Sequence, residues 1–146
     1  MTMSPSMPNT VPNNRQRVHV AAGVVVKSGS VLIAQRHANA HQGGLWEFPG
    51  GKLESGESVE AALGRELNEE MGVTVRQCRP LMQVAHDYSD KSVLLDFLLV
   101  EDFSGQPQGR EGQRWLWCPL SELATYAFPE ANQPVVDRLL EIFKIA

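Results

Sequence analysis

Three glutamates near the middle of the chain, Glu66, Glu69 and Glu70, have the spacing of groups that act together. The surrounding pattern predicts a helix over residues 58–71, on which positions i, i+3 and i+4 share one face. Like charges at these spacings repel, and a carboxylate turned toward a protein core is costly unless it is compensated. Mg²⁺, which prefers oxygen ligands, would compensate all three carboxylates at once. The alternative is a solvated acidic face with Arg65 as a partial partner.

The predicted helix has well-defined ends and one apolar sector. Ser58 is a good N-cap, Glu60 suits the first turn, and Gly72 suits the position after the last turn. The apolar residues that share one sector at helical spacing are Val59, Ala62, Leu63, Leu67 and Met71. Glu66 and Glu70 project into that sector, which places them against the rest of the protein.

The segment before the helix completes a known motif. Residues 48–52, Phe-Pro-Gly-Gly-Lys, predict a tight turn where the backbone can approach a ligand. Gly51 is followed after five residues by Glu57, and after seven more by Arg-Glu-Leu-Asn-Glu-Glu-Met-Gly-Val at 65–73. These residues fill every fixed position of the 23-residue signature of the Nudix hydrolases, which the chain therefore resembles.

The resemblance implies an enzyme that uses Mg²⁺, with Mn²⁺ as a substitute, to split the diphosphate linkage of a nucleotide-like substrate. The implied metal-binding residues are Gly50 (through its carbonyl), Glu57, Glu66, Glu69, Glu70 and Glu111. Glu66 and Glu69 are also implied as catalytic residues, together with Arg65, which would orient the carboxylates. A diphosphate repels a nucleophile, so this chemistry requires charge neutralisation and a positioned water. Without the resemblance, Glu111 would be read as an ordinary surface-loop residue.

The similarity to the MutT branch of this family runs from about His19 to Phe143 and implies 8-oxo-dGTP as the substrate. Asn132 occupies the position of an asparagine that binds the edge of the oxidised guanine in MutT-like enzymes. An amide suits that role because it offers both a donor and an acceptor. The alternative is that Asn132 only caps the last helix, with Pro134 in its first turn.

The same resemblance implies further substrate-binding residues: Arg36, Phe48, Asp90 and Lys91. Phe48 would pack on the base; the alternative is that it belongs only to the core. The alternative for residues 90–91 is an ordinary hairpin tip with no contact to the substrate. Lys91 replaces an arginine of MutT. His19 falls at a position predicted to line the base, where it would stack on a purine.

Two other functions stay open at this point. A CTP or 5-methyl-dCTP pyrophosphohydrolase shares the Leu-Trp-Glu-Phe stretch at 45–48 and the region of residues 117–118. A non-catalytic Nudix domain that senses a nucleotide is the other alternative. The complete set of acidic residues argues against it, because a binding module has no need of them all.

Composition limits the class of protein. The chain has 146 residues, of which 42% are hydrophobic and 21% charged, as expected for one globular domain. A net charge of −4 argues against a polynucleotide partner, and no apolar run reaches the roughly 20 residues of a membrane helix. Cys78 and Cys118 form no CxxC pair and indicate free thiols in a reducing cytoplasm. The expected partner is a small nucleotide, and the expected state is a monomer or weak dimer.

Residues 1–17 are rich in Pro, Ser, Thr and Asn and predict a flexible tail before a Nudix hydrolase domain at 18–146. Strands are predicted at 18–26, 31–36, 46–48, 73–85, 92–100 and 113–118, a turn or short helix at 119–123, and a final helix at 134–145. These elements show no regular βαβ alternation, which favours the α+β class. The Nudix resemblance implies a mixed β-sheet sandwiched between α-helices.

Overall fold

The computed structural model describes residues 17–143. The elements in chain order are β1 (Val18–Lys27), β2 (Ser30–Gln35), β3 (Trp46–Glu47), β4 (Gly50–Lys52), α1 (Val59–Met71), β5 (Thr74–Asp87), β6 (Ser92–Ser104), β7 (Trp115–Pro119) and α2 (Gln133–Ile142). Two 3₁₀ helices, Leu120–Thr125 and Glu130–Asn132, precede α2. The tail predicted over residues 1–17 lies, except for its last residue, outside the described range.

Strand β1 organises the sheet because it pairs on both sides. It runs parallel to β6, and β6 runs antiparallel to β5. The first part of β1 pairs antiparallel with β4 and its last part with β2. Strand β2 also pairs antiparallel with β3 and β7, so the main order is β3-β2-β1-β6-β5. Parallel and antiparallel pairs thus share one sheet, which confirms the α+β prediction.

The sheet separates two hydrophobic cores, and β1 contributes to both because successive strand residues face opposite sides. Ala22 and Val24 join Phe97 and residues of α2 in one core. Ala21 and Val25 join Leu98 and the apolar sector of α1 in the other. The predicted sandwich of a mixed sheet between helices is therefore present.

The ends of α1 are those that the sequence predicts. The Ser58 hydroxyl accepts a hydrogen bond from the Ala61 amide at 3.1 Å. Gly72 ends the helix in the left-handed region, with φ of 69°, a conformation that glycine adopts without strain. Leu63 and Leu67 lie close to Gly23 of β1, where an added Cβ would approach them to 3.0–3.2 Å. These contacts hold α1 tightly on the sheet.

The turn predicted at residues 48–52 is partly a strand. Gly50 pairs with Ala22 and Gly51 with Ala21, forming β4. A Cβ on Gly50 would lie 2.0 Å from the Ala21 carbonyl oxygen, so this pairing requires glycine. The prediction missed the strand because two glycines disfavour strand formation unless a neighbouring backbone approaches closely.

Other boundaries move modestly. Strands β5 and β6 extend to Asp87 and Ser104, beyond the predicted 85 and 100, because their antiparallel pairing continues to both ends. Helix α2 begins one residue earlier than predicted and ends at Ile142, and residues 144–146 lie outside the described range.

Among residues 17–143, no helix has the length and apolar character needed to cross a membrane.

Candidate active site

The Arg65 side chain organises the acidic patch on α1. It donates two hydrogen bonds to the Glu57 carboxylate, from Nε at 2.7 Å and from Nη2 at 2.9 Å. Its Nη1 donates to Glu66 at 3.0 Å and to Glu69 at 3.3 Å. The bonds from Arg65 hold the pKa of Glu57 down at about 2. Arg65 therefore keeps Glu57 ionised and fixes the carboxylate of Glu66.

Glu66 also lies over the backbone of β4. A Cβ on Gly51 would come within 2.3 Å of the Glu66 carboxyl carbon, so only glycine leaves room for this side chain. The Glu66 side chain is 17% exposed, whereas Glu69 is 58% exposed at the edge of the patch. This arrangement agrees with the prediction that Glu66 projects toward the rest of the protein.

Glu70 lies in a second acidic environment. Burial, the largest cause, and the nearby carboxylates of Glu47, Glu111 and Glu66 together raise its pKa to about 8, while the Gly50 amide acts in the opposite direction. The charges of three nearby carboxyl groups thus disfavour ionisation of Glu70. A divalent cation would reverse this effect, because it favours the ionised form of its ligands.

This arrangement gives a prediction for Glu70→Gln in the presence of a chelator. Folded Glu70 keeps its proton up to about pH 8, whereas the carboxyl has an ordinary pKa of 4.5. Glu70 therefore adds stability below about pH 4.5 that is lost as the pH rises through 8. We expect Glu70→Gln to match the wild type near pH 4.5 and to melt roughly 5–10 °C higher at pH 9. Thermal melts across this pH range measure the difference, and equal wild-type and variant profiles would contradict the assignment.

The loop before β7 brings Glu111 to this region. The Arg110 amide donates to the Glu70 carbonyl at 3.0 Å, and its Nη1 donates to the Asn68 carbonyl at 3.0 Å. The Gln108 amide donates to the Met71 carbonyl at 2.8 Å. The loop thus satisfies carbonyls at the C-terminal end of α1 and carries Glu111 to the carboxylates.

Glu47 is a site residue that the sequence analysis did not select. Its carboxylate pairs with Arg36, and its burial raises its pKa despite that partner. The sequence feature that could have identified Glu47 is an acidic residue between Trp46 and Phe48, immediately before the glycine-rich turn. Glu47, Glu70 and Glu111 line one surface pocket with Gln35, Arg36, His37, Ala40 and Gln113.

The donor set is chemically suited to a hard divalent cation, since it consists of carboxylates and backbone carbonyls. In the described part of the chain, however, no group of three Asp, Glu, His or Cys side chains is arranged to hold a metal ion. The Glu66 carboxylate already accepts a hydrogen bond from Arg65, and the Glu69 side chain is largely exposed. Metal binding here would therefore need side-chain rotations within the patch.

A second pocket, called the apolar pocket below, encloses about 570 Å³ including its open mouth. It lies beside the acidic pocket, which is the one lined by Glu47, Glu70 and Glu111. Its apolar wall consists of Val20, Ala22, Phe48, Val93, Leu95, Phe97 and Pro129, and its polar residues are Arg36, His41, Gln42, Glu47, Tyr88, Lys91 and Asn132. Arg36 and Glu47 line both pockets. A ligand held in the apolar pocket can therefore extend directly to the acidic residues.

Four of the five predicted substrate-binding residues line this pocket: Arg36, Phe48, Lys91 and Asn132. Asp90 is not among the lining residues, and its carboxylate accepts a hydrogen bond from His41 Nδ1 at 2.8 Å. Phe48 is only 3% exposed, stacks on Phe128 and meets Phe97 edge-on. It therefore belongs to the core and to the pocket wall.

The placement of His19 against the base was wrong. Val20 and Ala22 line the pocket, so the alternation of β1 turns residue 19 to the opposite face. There, His19 Nε2 pairs with the Asp96 carboxylate at 2.6 Å.

Asn132 stands at the N-cap position of α2, but its side chain does not cap the helix, so that alternative was wrong. It has φ of −89° and ψ of −14° and makes no side-chain cap hydrogen bond. A capping residue is usually extended, but here the 3₁₀ helix Glu130–Asn132 leads directly into α2. Tyr88 supports this segment, because its hydroxyl accepts a hydrogen bond from the Ala131 amide at 2.9 Å. The buried Asn132 side chain therefore remains available to the pocket.

Comparison with known proteins assigns the chain to a family. The NUDIX domain model matches residues 21–138. An 8-oxo-dGTP diphosphatase from Proteus vulgaris is 47% identical over 100 residues, covering 68% of this chain and 89% of the relative. A CTP pyrophosphohydrolase from Escherichia coli strain K12 is 34% identical over 125 residues, covering 86% of this chain and 93% of the relative.

A solved structure gives the same result at the level of the fold. It comes from a study of MutT from Aliivibrio salmonicida and Vibrio cholerae, and it is 45% identical with a TM-score of 0.77. The alignment covers 88% of this chain and 100% of that chain. The chain therefore belongs to the Nudix hydrolase family and has the fold of its MutT members.

Proposed function

We propose that this Nudix hydrolase is a cytoplasmic, Mg²⁺-dependent nucleoside triphosphate pyrophosphohydrolase that converts 8-oxo-dGTP to 8-oxo-dGMP and pyrophosphate. The observation that carries the proposal is the shared wall of Arg36 and Glu47 between the apolar and acidic pockets. A nucleotide whose base fills the apolar pocket would extend its phosphates toward Glu70 and Glu111. A metabolic role in removing an oxidised nucleotide from the precursor pool follows from this reaction.

The base end of the site supports a purine. The ring of Phe48 and the aliphatic side chains of β1 and β6 provide an apolar wall. Asn132 is buried at 8% exposure and offers a donor and an acceptor to a base edge. The relative from Proteus vulgaris, named 8-oxo-dGTP diphosphatase, supports oxidised guanine as that base.

The phosphate end supports metal-assisted hydrolysis. The residues proposed to hold the cation are the Gly50 carbonyl, Glu57, Glu66, Glu69, Glu70 and Glu111. A divalent cation held by these residues would neutralise phosphate charge and lower the pKa of an attacking water. Glu66 is the proposed acceptor of that water's proton, because Arg65 and the Gly51 backbone fix its carboxylate. The water oxygen bonds to phosphorus while the P–O bond to the leaving group breaks, which yields a monophosphate and pyrophosphate.

The test is pyrophosphate release from 8-oxo-dGTP, dGTP, CTP and 5-methyl-dCTP, together with AMP release from ADP-ribose. We expect kcat/KM for 8-oxo-dGTP to exceed the other values by about tenfold or more. EDTA should abolish turnover, and Mg²⁺ or Mn²⁺ should restore it. Turnover of none of these compounds with added metal would overturn the enzymatic proposal.

The second candidate is a CTP or 5-methyl-dCTP pyrophosphohydrolase. It is favoured by the 34% identity to the Escherichia coli protein named CTP pyrophosphohydrolase. A higher kcat/KM for either cytidine nucleotide than for 8-oxo-dGTP would select this candidate. The same panel therefore decides between the two substrate classes.

A further inference from the structure

A histidine of the loop between β2 and β3 contains a buried nitrogen without a partner. His41 lines the apolar pocket together with Asn132. Its side chain is 15% exposed. Its Nε2 is shielded from solvent and is the one buried side-chain nitrogen or oxygen in residues 17–143 without a hydrogen-bond partner. Such an atom destabilises a protein unless something completes its bonding.

Asp90 determines what His41 can offer. The hydrogen bond from His41 Nδ1 holds the pKa of Asp90 below its ordinary value, so this carboxylate is ionised and only accepts. Nδ1 therefore donates in this pair, and a neutral imidazole with its proton on Nδ1 offers Nε2 as an acceptor. Tyr88 meets the imidazole edge-on at 4.7 Å, and Arg36 Nε donates to the His41 carbonyl at 2.6 Å. These contacts hold both the ring and its backbone in place.

We propose that His41 contacts the substrate and that its Nε2 accepts a hydrogen bond from a ring N–H of the bound purine. This inference rests on the proposed function, because it takes the pocket of Asn132 as the base site. Guanine has one ring N–H, at N1, and oxidation at C8 adds a second at N7. An acceptor in a pocket of largely apolar walls favours a base that presents such a group. Asp90 acts through His41 as a positioning residue.

The test uses His41→Phe, which keeps an aromatic ring and removes both nitrogens. The substrates are 8-oxo-dGTP, dGTP and the deoxynucleoside triphosphate of 2-aminopurine, which has neither ring N–H. We expect KM for 8-oxo-dGTP to rise about tenfold and kcat to change by less than about threefold. The 2-aminopurine nucleotide should show no rise in KM. The result with dGTP shows which N–H bonds to His41. A rise in KM for dGTP indicates N1–H as the donor, and an unchanged KM for dGTP indicates N7–H.

The matched control is His86→Phe. His86 also meets Tyr88 edge-on, at 4.5 Å, but it does not line the pocket. Its replacement should leave every KM within about twofold. Asp90→Ala should raise KM for the same nucleotides as His41→Phe, and the double variant should resemble His41→Phe alone because the two residues act as one unit.

A spectroscopic readout keeps the test independent of turnover. Binding of 8-oxo-dGMP should shift the ¹⁵N resonance of His41 Nε2 in the wild type. An unmoved resonance, or an equal KM rise on all three nucleotides, would overturn the inference. If the wild type turns over 8-oxo-dGTP while His41→Phe is unaffected, only the role of His41 fails. If the wild type hydrolyses none of the nucleotides, the proposed function fails and this inference fails with it.

Discussion

Glu66→Gln is expected to reduce kcat for 8-oxo-dGTP by about 10³-fold or more, with KM within about threefold. The substitution keeps the shape of the side chain but removes its charge and its ability to accept a proton. Glu66 is 17% exposed and held by Arg65 at 3.0 Å, so no neighbouring carboxylate replaces it in the same position. Steady-state release of pyrophosphate measures kcat, and calorimetric binding of 8-oxo-dGMP measures retained affinity.

The matched control is Glu60→Gln on the first turn of the same helix. Glu60 is exposed and lies away from the acidic patch, so kcat should stay within about twofold.

A second variant, Gly51→Ala, tests the position of the Glu66 carboxylate rather than its charge. Its Cβ would collide with the Glu66 carboxyl, and displacing a reacting group costs about 10²-fold in kcat. Full activity in Glu66→Gln would refute its catalytic assignment, and full activity in Gly51→Ala would refute the requirement for this geometry.

Asn132→Ala is expected to raise KM for 8-oxo-dGTP by roughly 10- to 100-fold and to change KM for CTP by less than about threefold. A bidentate amide contact to a base is worth about 1–3 kcal/mol, which corresponds to that range. The melting temperature should change by less than about 2 °C, because the side chain makes no cap hydrogen bond. A capping asparagine would instead contribute about 1 kcal/mol to stability.

The control for this variant is Gln133→Ala, which removes an exposed amide at the next position. Gln133 donates to Asp137 on the surface of α2 at 3.1 Å and does not line the pocket. Its replacement should leave both KM values unchanged. If Asn132→Ala raises KM equally for 8-oxo-dGTP and CTP, the residue does not read guanine.

The local elements around the acidic patch could be predicted from sequence because their determinants are close in the chain. Ser58 and Gly72 mark the ends of α1, and helical periodicity alone places Glu66 and Glu70 on its buried side. The hairpin of β1 and β2 and the strong strand pattern of β6 were predicted for the same reason. Strand β4 was missed because its formation depends on the approach of β1, which no local pattern reports.

The pocket depended on contacts between distant segments. Alternation along β1 turns Val20 rather than His19 toward the apolar pocket, and the register of the strand is a property of the whole sheet. The 3₁₀ helix before α2 decided that Asn132 lines the pocket and does not cap the helix. Propensity alone left both roles open because asparagine suits either of them.

The three glutamates and their signature were determined by the sequence itself, because a helix places residues i, i+3 and i+4 together wherever it packs. The sequence also determined the family and the kind of chemistry that such carboxylates support. Only the tertiary structure added Glu47 to the pocket of Glu70 and Glu111, and only the tertiary structure paired His41 with Asp90. These groups lie far apart in the chain, and packing of the loops on a mixed sheet brings them together.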